Sequence, residues 1–290
     1  MDHVSPAVSK VTVPVILERK LRGEKITCLT AYDYSTARLV DEAGIEIILV
    51  GDSLAQTVLG YDSTVPVTVE EMLHHLKAVR RGVRRALLVV DLPYGAYHVT
   101  NEEGLAAAVR FFKEGGAEAV KFEGGRKRAR LARRLVEAEI PVMGHIGLTP
   151  QSVHALGGYR VQGKTLDSAT ELLADAEALE EAGVFALVLE GIPRELAAII
   201  TRRLRIPTIG IGAGPDCDGQ VLVFHDLIGL SYLPAAKFVR SYANLRETLS
   251  QALISYRTDV AEGRYPGDGE SYHWTAAMRA QFEKETTRST

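Results

Sequence analysis

The sequence predicts an α/β chain folded as a closed (β/α)8 barrel, and three observations carry that expectation. Short aliphatic runs recur along the chain, amphipathic stretches alternate with them, and four of the runs end on a carboxylate. The runs are strand-length and lack strict apolar–polar alternation, as parallel strands covered on both faces require.

In order, the strand runs are 26–30 (ITCLT), 45–50 (IEIILV), 86–90 (ALLVV), 119–122 (AVKF), 141–144 (PVMG), 186–189 (ALVL) and 207–211 (PTIGI). An eighth strand is expected near 226–230 or 237–239. Helices are expected between them. One spans 69–81, with Thr68 as N-cap. Another spans 101–114, opening on Asn101 with Glu102 and Glu103 in its first turn and stopping at Gly115 and Gly116. A third spans 168–182, with Ser168 and Glu171 as a capping box and Gly183 after its end. Capping side chains at the start and glycine past the end are what helix termini need.

Strands alternating with helices indicate parallel βαβ units. No composition break divides the chain before about Gly263, so residues 1–262 are expected to form one catalytic barrel and 263–290 a C-terminal tail. A barrel of roughly 250 residues suits that count, although alternation alone leaves an open doubly wound sheet standing. In the tail, the turn-rich run 266–269 (PGDG) precedes Trp274, Met278 and Phe282, spaced every four residues. That stripe predicts a short amphipathic helix, docked on its own barrel or on a neighbouring subunit.

The 290 residues are 46% hydrophobic and 24% charged, with a net charge of -3. The balance is ordinary for a globular chain and gives no reason to expect nucleic acid or an anionic membrane as partner. Cys28 and Cys217 are too few for a disulfide framework and read as buried thiols. The N-terminus lacks the apolar core and cleavage site of a leader, and no run approaches the roughly 20 apolar residues that span a bilayer. A soluble, cytoplasmic protein is expected.

The chemistry is expected where the strands end. Asp52 follows the second run, Asp91 the third, Glu123 the fourth and Glu190 the sixth. In a (β/α)8 barrel those ends converge on one mouth. One such acid could simply cap the next helix; four in the same position point to a site, and a cluster of like charges needs a cation or shared protons. Magnesium, a hard ion that takes oxygen ligands, is the natural candidate, with manganese equally compatible. Zinc is not expected, because no Cys/His set accompanies the acids. Lys121 and Glu123 lie two apart and project to one face of their strand. His145, after the fifth run, would enter the same mouth as a substrate-binding group, its alternative being a hydrogen-bonded core histidine. His74 and His75 read as an exposed helical pair. The glycine-rich run 210–214 (GIGAG) matches no phosphate-binding motif and reads as close backbone approach at the mouth. The basic run 126–134 reads as a solvated helix face.

On these residues the sequence resembles the ketopantoate hydroxymethyltransferase family. The matching stretches are 29–54 (LTAYDYSTARLVDEAGIEIILVGDSL), 60–68 (GYDSTVPVT), 89–97 (VVDLPYGAY), 120–125 (VKFEGG), 144–164 (GHIGLTPQSVHALGGYRVQGK), 186–193 (ALVLEGIP) and 206–230 (IPTIGIGAGPDCDGQVLVFHDLIGL). The resemblance implies a TIM barrel of the phosphoenolpyruvate/pyruvate type. It implies Asp52 and Asp91 as magnesium ligands and substrate contacts, and Glu123 as the third metal-site carboxylate. Ser53 and Lys121 would hold the 2-oxo acid, and Glu190 would be the catalytic base. The implied reaction transfers a hydroxymethyl group from 5,10-methylenetetrahydrofolate, as co-substrate, to 3-methyl-2-oxobutanoate, giving 2-dehydropantoate in pantothenate synthesis. A large homo-oligomer, commonly a decamer, is implied as well. The sequence departs from the family's pattern at Ala55 and Gln56, usually Gly-Met, and in its tail. The nearest rival reading is another magnesium-dependent 2-oxo-acid lyase on the same barrel. The rival of a different class, a barrel without catalysis, predicts decay of the strand-end acids, and all four are present. The long loops 53–68 and 146–164 are expected to close over the substrates.

Overall fold

The computed structural model describes residues 9–287; the ends of the two expected segments, residues 1–8 and 288–290, lie outside them, as does the first part of the segment read for a leader. The chain divides into two compact units at Tyr242 and Ala243. The helix Leu245–Ala261 groups with the second unit, so Gly263, where the tail is expected to begin, lies inside that unit.

In the first unit, α1 (Val13–Arg22) precedes β1 (Ile26–Thr30), α2 (Tyr34–Glu42), β2 (Ile47–Val50), the single-turn α3 (Leu54–Thr57) and α4 (Val69–Gly82). Next come β3 (Leu87–Asp91), α5 (Asn101–Lys113), β4 (Ala119–Lys121), α6 (Ala129–Glu137), β5 (Val142–Gly147), the short α7 (Val153–Leu156) and α8 (Leu166–Glu181). Finally β6 (Ala186–Glu190), α9 (Arg194–Arg203), β7 (Thr208–Ile211), β8 (Gly219–Leu222) and the short α10 (Phe224–Leu227) complete it. All eight strands pair in parallel in sequence order, and β8 returns to β1 through Ile26 opposite Gly219, so the barrel is closed. The open sheet is excluded.

β8 lies at neither expected place. Only residues 212–218 join β7 to β8, with no helix between them, so the strand–helix alternation that marks the other strands is missing here.

Strand periodicity sorts the core into two layers. Cys28, Ile47, Leu49, Leu87, Val89, Ala119, Met143, Val188 and Ile209 fill the barrel. Their sequence neighbours Leu29, Ile48, Val50, Leu88, Val90, Val120 and Leu189 face the helices. Both faces of each strand are thus apolar, which explains the continuous runs. The helix α1 packs Ile16 into the interior layer. Its Lys20 and Arg19 reach Asp218 and Glu46, at 2.8 and 3.1 Å, just ahead of β8 and β2. It closes the end of the barrel opposite the mouth.

The three helices expected from the sequence are capped by threonine. Thr68 and Glu71 form a reciprocal box at α4. At α5 the cap is Thr100 with Glu103, not Asn101, and at α8 it is Thr165 with Ser168, not Ser168 with Glu171. Of the histidine pair, His74 is exposed, but His75 is half-buried and its Nδ1 lies 2.7 Å from the Tyr32 carbonyl. The basic run 126–134 spans a short 3-10 turn and the start of α6, whose Leu131, Ala132 and Leu135 are buried. No helix of the described residues is long and apolar enough to cross a membrane.

The second unit contains α11 (Leu245–Ala261) and α12 (Ala276–Thr287). Met278 and Phe282 lie on α12; Trp274 precedes it and meets the Phe282 ring edge-on at 4.9 Å between centroids.

Candidate active site

The parity that fills the barrel also aims its functional groups. Counting by twos from Leu87 and Val89 reaches Asp91, from Ala119 reaches Lys121, from Met143 reaches His145, and from Ala186 and Val188 reaches Glu190. All four therefore project inward, at the carboxyl ends of their strands. β5 runs on to Gly147, so His145 lies within the strand rather than after it. Asp52 and Glu123 sit two residues beyond β2 and β4. Together with Ser53, these residues line one cavity of about 170 Å³ whose apolar wall includes Leu49, Val188, Ile211, Val221 and Phe238. Every sequence-predicted site residue is brought to this cavity.

The contacts within it are close. Lys121 Nζ lies 2.8 Å from Asp91 Oδ1 and 3.4 Å from His145 Nδ1. The other Asp91 oxygen, Oδ2, accepts from the Asp52 backbone N–H at 3.0 Å. His145 Nε2 lies 3.1 Å from Glu190 Oε2, but off hydrogen-bond alignment, so this buried nitrogen has no satisfied partner. Because an ammonium only donates, Nδ1 is assigned as the acceptor facing Lys121, which puts the ring proton on Nε2.

Burial drives the electrostatics. Desolvation first, and Asp91 second, raise the proton affinity of Asp52. Desolvation and then Asp52 push Glu123 well above the carboxylate range. Burial opposes the Lys121 charge, but Asp91, Glu123 and Asp52 outweigh it and hold its ammonium above the usual lysine value. Desolvation, then Lys121, lowers His145, which is therefore neutral at pH 7. Four carboxylates share one lysine, a charge deficit that protons or a cation must relieve.

Among the described residues, no three His, Cys, Asp or Glu side chains converge closely enough to hold a metal between them. Asp52, Asp91 and Glu123 therefore line one cavity without forming a ready three-ligand cluster. Several of their oxygens are already engaged by protein N–H groups.

The sequence reading missed the residues that hold these acids. Gln151, 4% exposed, donates its side-chain amide to Asp52 Oδ2 at 2.8 Å and to the Leu92 carbonyl at 3.0 Å. Its backbone N–H donates to Glu123 Oε2 at 2.9 Å, and its Oε1 accepts from the Tyr97 hydroxyl at 2.6 Å. Tyr32 meets Ser53 hydroxyl to hydroxyl at 2.8 Å. Gly147 takes φ 97°, and a Cβ there would stand 2.2 Å from the Glu190 carbonyl oxygen, so the β5–β6 approach that seats Glu190 requires glycine. Gly212, in the glycine-rich run, likewise admits the Phe238 ring, 2.7 Å from where a Cβ would be.

Comparison with known proteins adds a family. Residues 10–268 match the sequence profile described as ketopantoate hydroxymethyltransferase. A Koribacter versatilis protein named 3-methyl-2-oxobutanoate hydroxymethyltransferase is 62% identical over 97% of this chain and 95% of its own. A Carboxydothermus hydrogenoformans protein of the same name is 55% identical over 91% of this chain and 96% of its own. Among solved structures, a phosphonopyruvate hydrolase aligns with TM-score 0.58 at 12% identity, covering 95% of this chain and 96% of its own. A 2,3-dimethylmalate lyase, described as a PEP mutase/isocitrate lyase superfamily member, aligns with TM-score 0.53 at 18% identity, covering 96% of this chain and 98% of its own. These two likenesses concern the barrel fold.

Proposed function

The chain belongs to the ketopantoate hydroxymethyltransferase family and is a transferase; on that premise we propose that it adds the one-carbon unit of 5,10-methylenetetrahydrofolate to 3-methyl-2-oxobutanoate, with magnesium at the site. The observation that carries the reading is the single buried cavity in which four carboxylates, one ammonium and one neutral imidazole converge. Its 170 Å³ equals the liquid volume of five or six waters at about 30 Å³ each, which suits a small oxo acid. Leu49, Val188 and Ile211 offer the apolar wall its isopropyl group needs.

Asp52 and Asp91 would hold the magnesium, with Glu123 as the third carboxylate of the site. Magnesium uses one or two protein carboxylates and keeps several waters, so a three-ligand cluster is not required. When bound, it supplies a positive charge that stabilises the oxygen of the developing enolate. Glu190 takes the C3 proton onto its carboxylate. The unsatisfied Nε2–H of His145 is available to the keto oxygen or to Glu190. Lys121, fixed by Asp91, offsets negative charge at the substrate carboxylate, and Ser53, held by Tyr32, offers a hydroxyl beside it. Water breaks both C–N bonds of the methylene bridge, giving tetrahydrofolate and formaldehyde; the enolate carbon then bonds to the formaldehyde carbon, and the proton held by Glu190 goes to the resulting alkoxide to complete the hydroxymethyl group.

Glu190→Gln keeps the shape and removes the base, so turnover should fall by roughly 10²–10⁴ while magnesium affinity holds. Turnover near that of the unaltered enzyme would remove Glu190 from this role.

A further inference from the structure

We infer that the lip formed by Gln56 and Tyr159 is the docking platform for the flat heterocycle of the one-carbon donor. The inference rests on the function proposed above and extends it to the second substrate. A cavity of about 170 Å³ takes a small oxo acid, but a pteridine joined to an aryl-glutamate is several times larger. The donor must therefore remain outside and present its reactive end at the opening.

Two groups that the chemistry leaves unused, Gln56 and Tyr159, line the cavity that holds the acids. Gln56 lies on α3, after β2, and Tyr159 in the segment that follows α7, after β5. Gln56 is held in place by its amide, which donates to the Asp62 carbonyl at 3.0 Å. The Tyr159 residue is 52% exposed while its phenol feels Asp52, Glu190 and Glu123, so it borders the catalytic carboxylates and solvent together. A half-exposed ring at the mouth of the cavity is a surface on which a flat heterocycle can stack.

The test separates the two substrates. Exchange of the oxo-acid C3 proton with deuterium, followed by NMR with magnesium and no donor, reports the oxo-acid site alone. The apparent KM for 5,10-methylenetetrahydrofolate and the calorimetric Kd for tetrahydrofolate report the donor site. Tyr159→Ala should raise both donor constants about tenfold, the usual worth of a lost aromatic stack, and slow exchange by no more than about threefold. Tyr159→Phe, which keeps the ring, should stay within about threefold of the unaltered enzyme on every readout.

Unaltered donor constants in Tyr159→Ala would overturn the assignment. So would a parallel loss of exchange and donor binding, which would make Tyr159 a wall of the oxo-acid cavity. If the unaltered enzyme shows no exchange, the proposed function fails and the platform with it. Normal exchange with unaffected donor binding sinks the platform alone.

Discussion

Replacing Gln151 by alanine removes three hydrogen bonds at once. The amide leaves Asp52 Oδ2 and the Leu92 carbonyl, and Tyr97 loses its 2.6 Å acceptor. A hydrogen bond to a charged group is worth about 1.5–3 kcal/mol and a neutral one about 0.5–1.5, so the gross loss is about 2.5–6 kcal/mol. Water entering the vacated space recovers part of it, leaving about 2–4 kcal/mol. Equilibrium urea unfolding without magnesium should show that loss as a lower midpoint at unchanged slope. Asp52 also loses the group that orients it, and partners of this kind typically contribute 10–100-fold in metal affinity or activity. Calorimetric titration with magnesium should show a weakening in that range. Destabilisation below about 0.5 kcal/mol together with unchanged magnesium affinity would refute the view that Gln151 organises the acids.

Other outcomes follow from the same geometry. Gly147→Ala forces a Cβ against the Glu190 carbonyl at φ 97°, so it should either unfold the protein several degrees early or, if it folds, cut turnover by displacing Glu190; a fully stable, fully active variant would contradict this. His98, lowered to about 4 by burial and then by Arg128, is neutral in the fold and ordinary when unfolded. Its contribution is therefore complete above pH 6.5 and is lost as pH falls from 6.5 towards 4, by about 1 kcal/mol once solvent screening of this half-buried ring is allowed for. Thermal unfolding of His98→Asn across that range should be correspondingly flatter, and parallel curves would remove His98 as the cause.

The parts of the fold legible in the sequence are those where one residue type carries a strong signal. Buried parallel strands show as aliphatic runs, and while one acid at the end of such a run could cap the next helix, four in that position point to a site, so Asp52, Asp91, Glu123 and Glu190 could be picked out without a structure. β8 was hidden because GQVL is short, opens on glycine and follows β7 without a helix. The caps Thr100 and Thr165 were missed because a second capping residue stands shortly after each. Gln151 and Tyr97 are neutral, and Gln151 meets Asp52 across 99 residues of chain. Only closure of the barrel brings such partners together, and no local pattern announces them.

The most direct test of the central claim follows the C3 proton of 3-methyl-2-oxobutanoate by NMR in heavy water, with enzyme and magnesium, before 5,10-methylenetetrahydrofolate is added. Enzyme-dependent exchange that EDTA abolishes, followed by the signals of 2-dehydropantoate once the donor is present, is the predicted result. Active-folded, magnesium-loaded protein that yields neither exchange nor product would contradict the assignment of this cavity to enolisation of that acid.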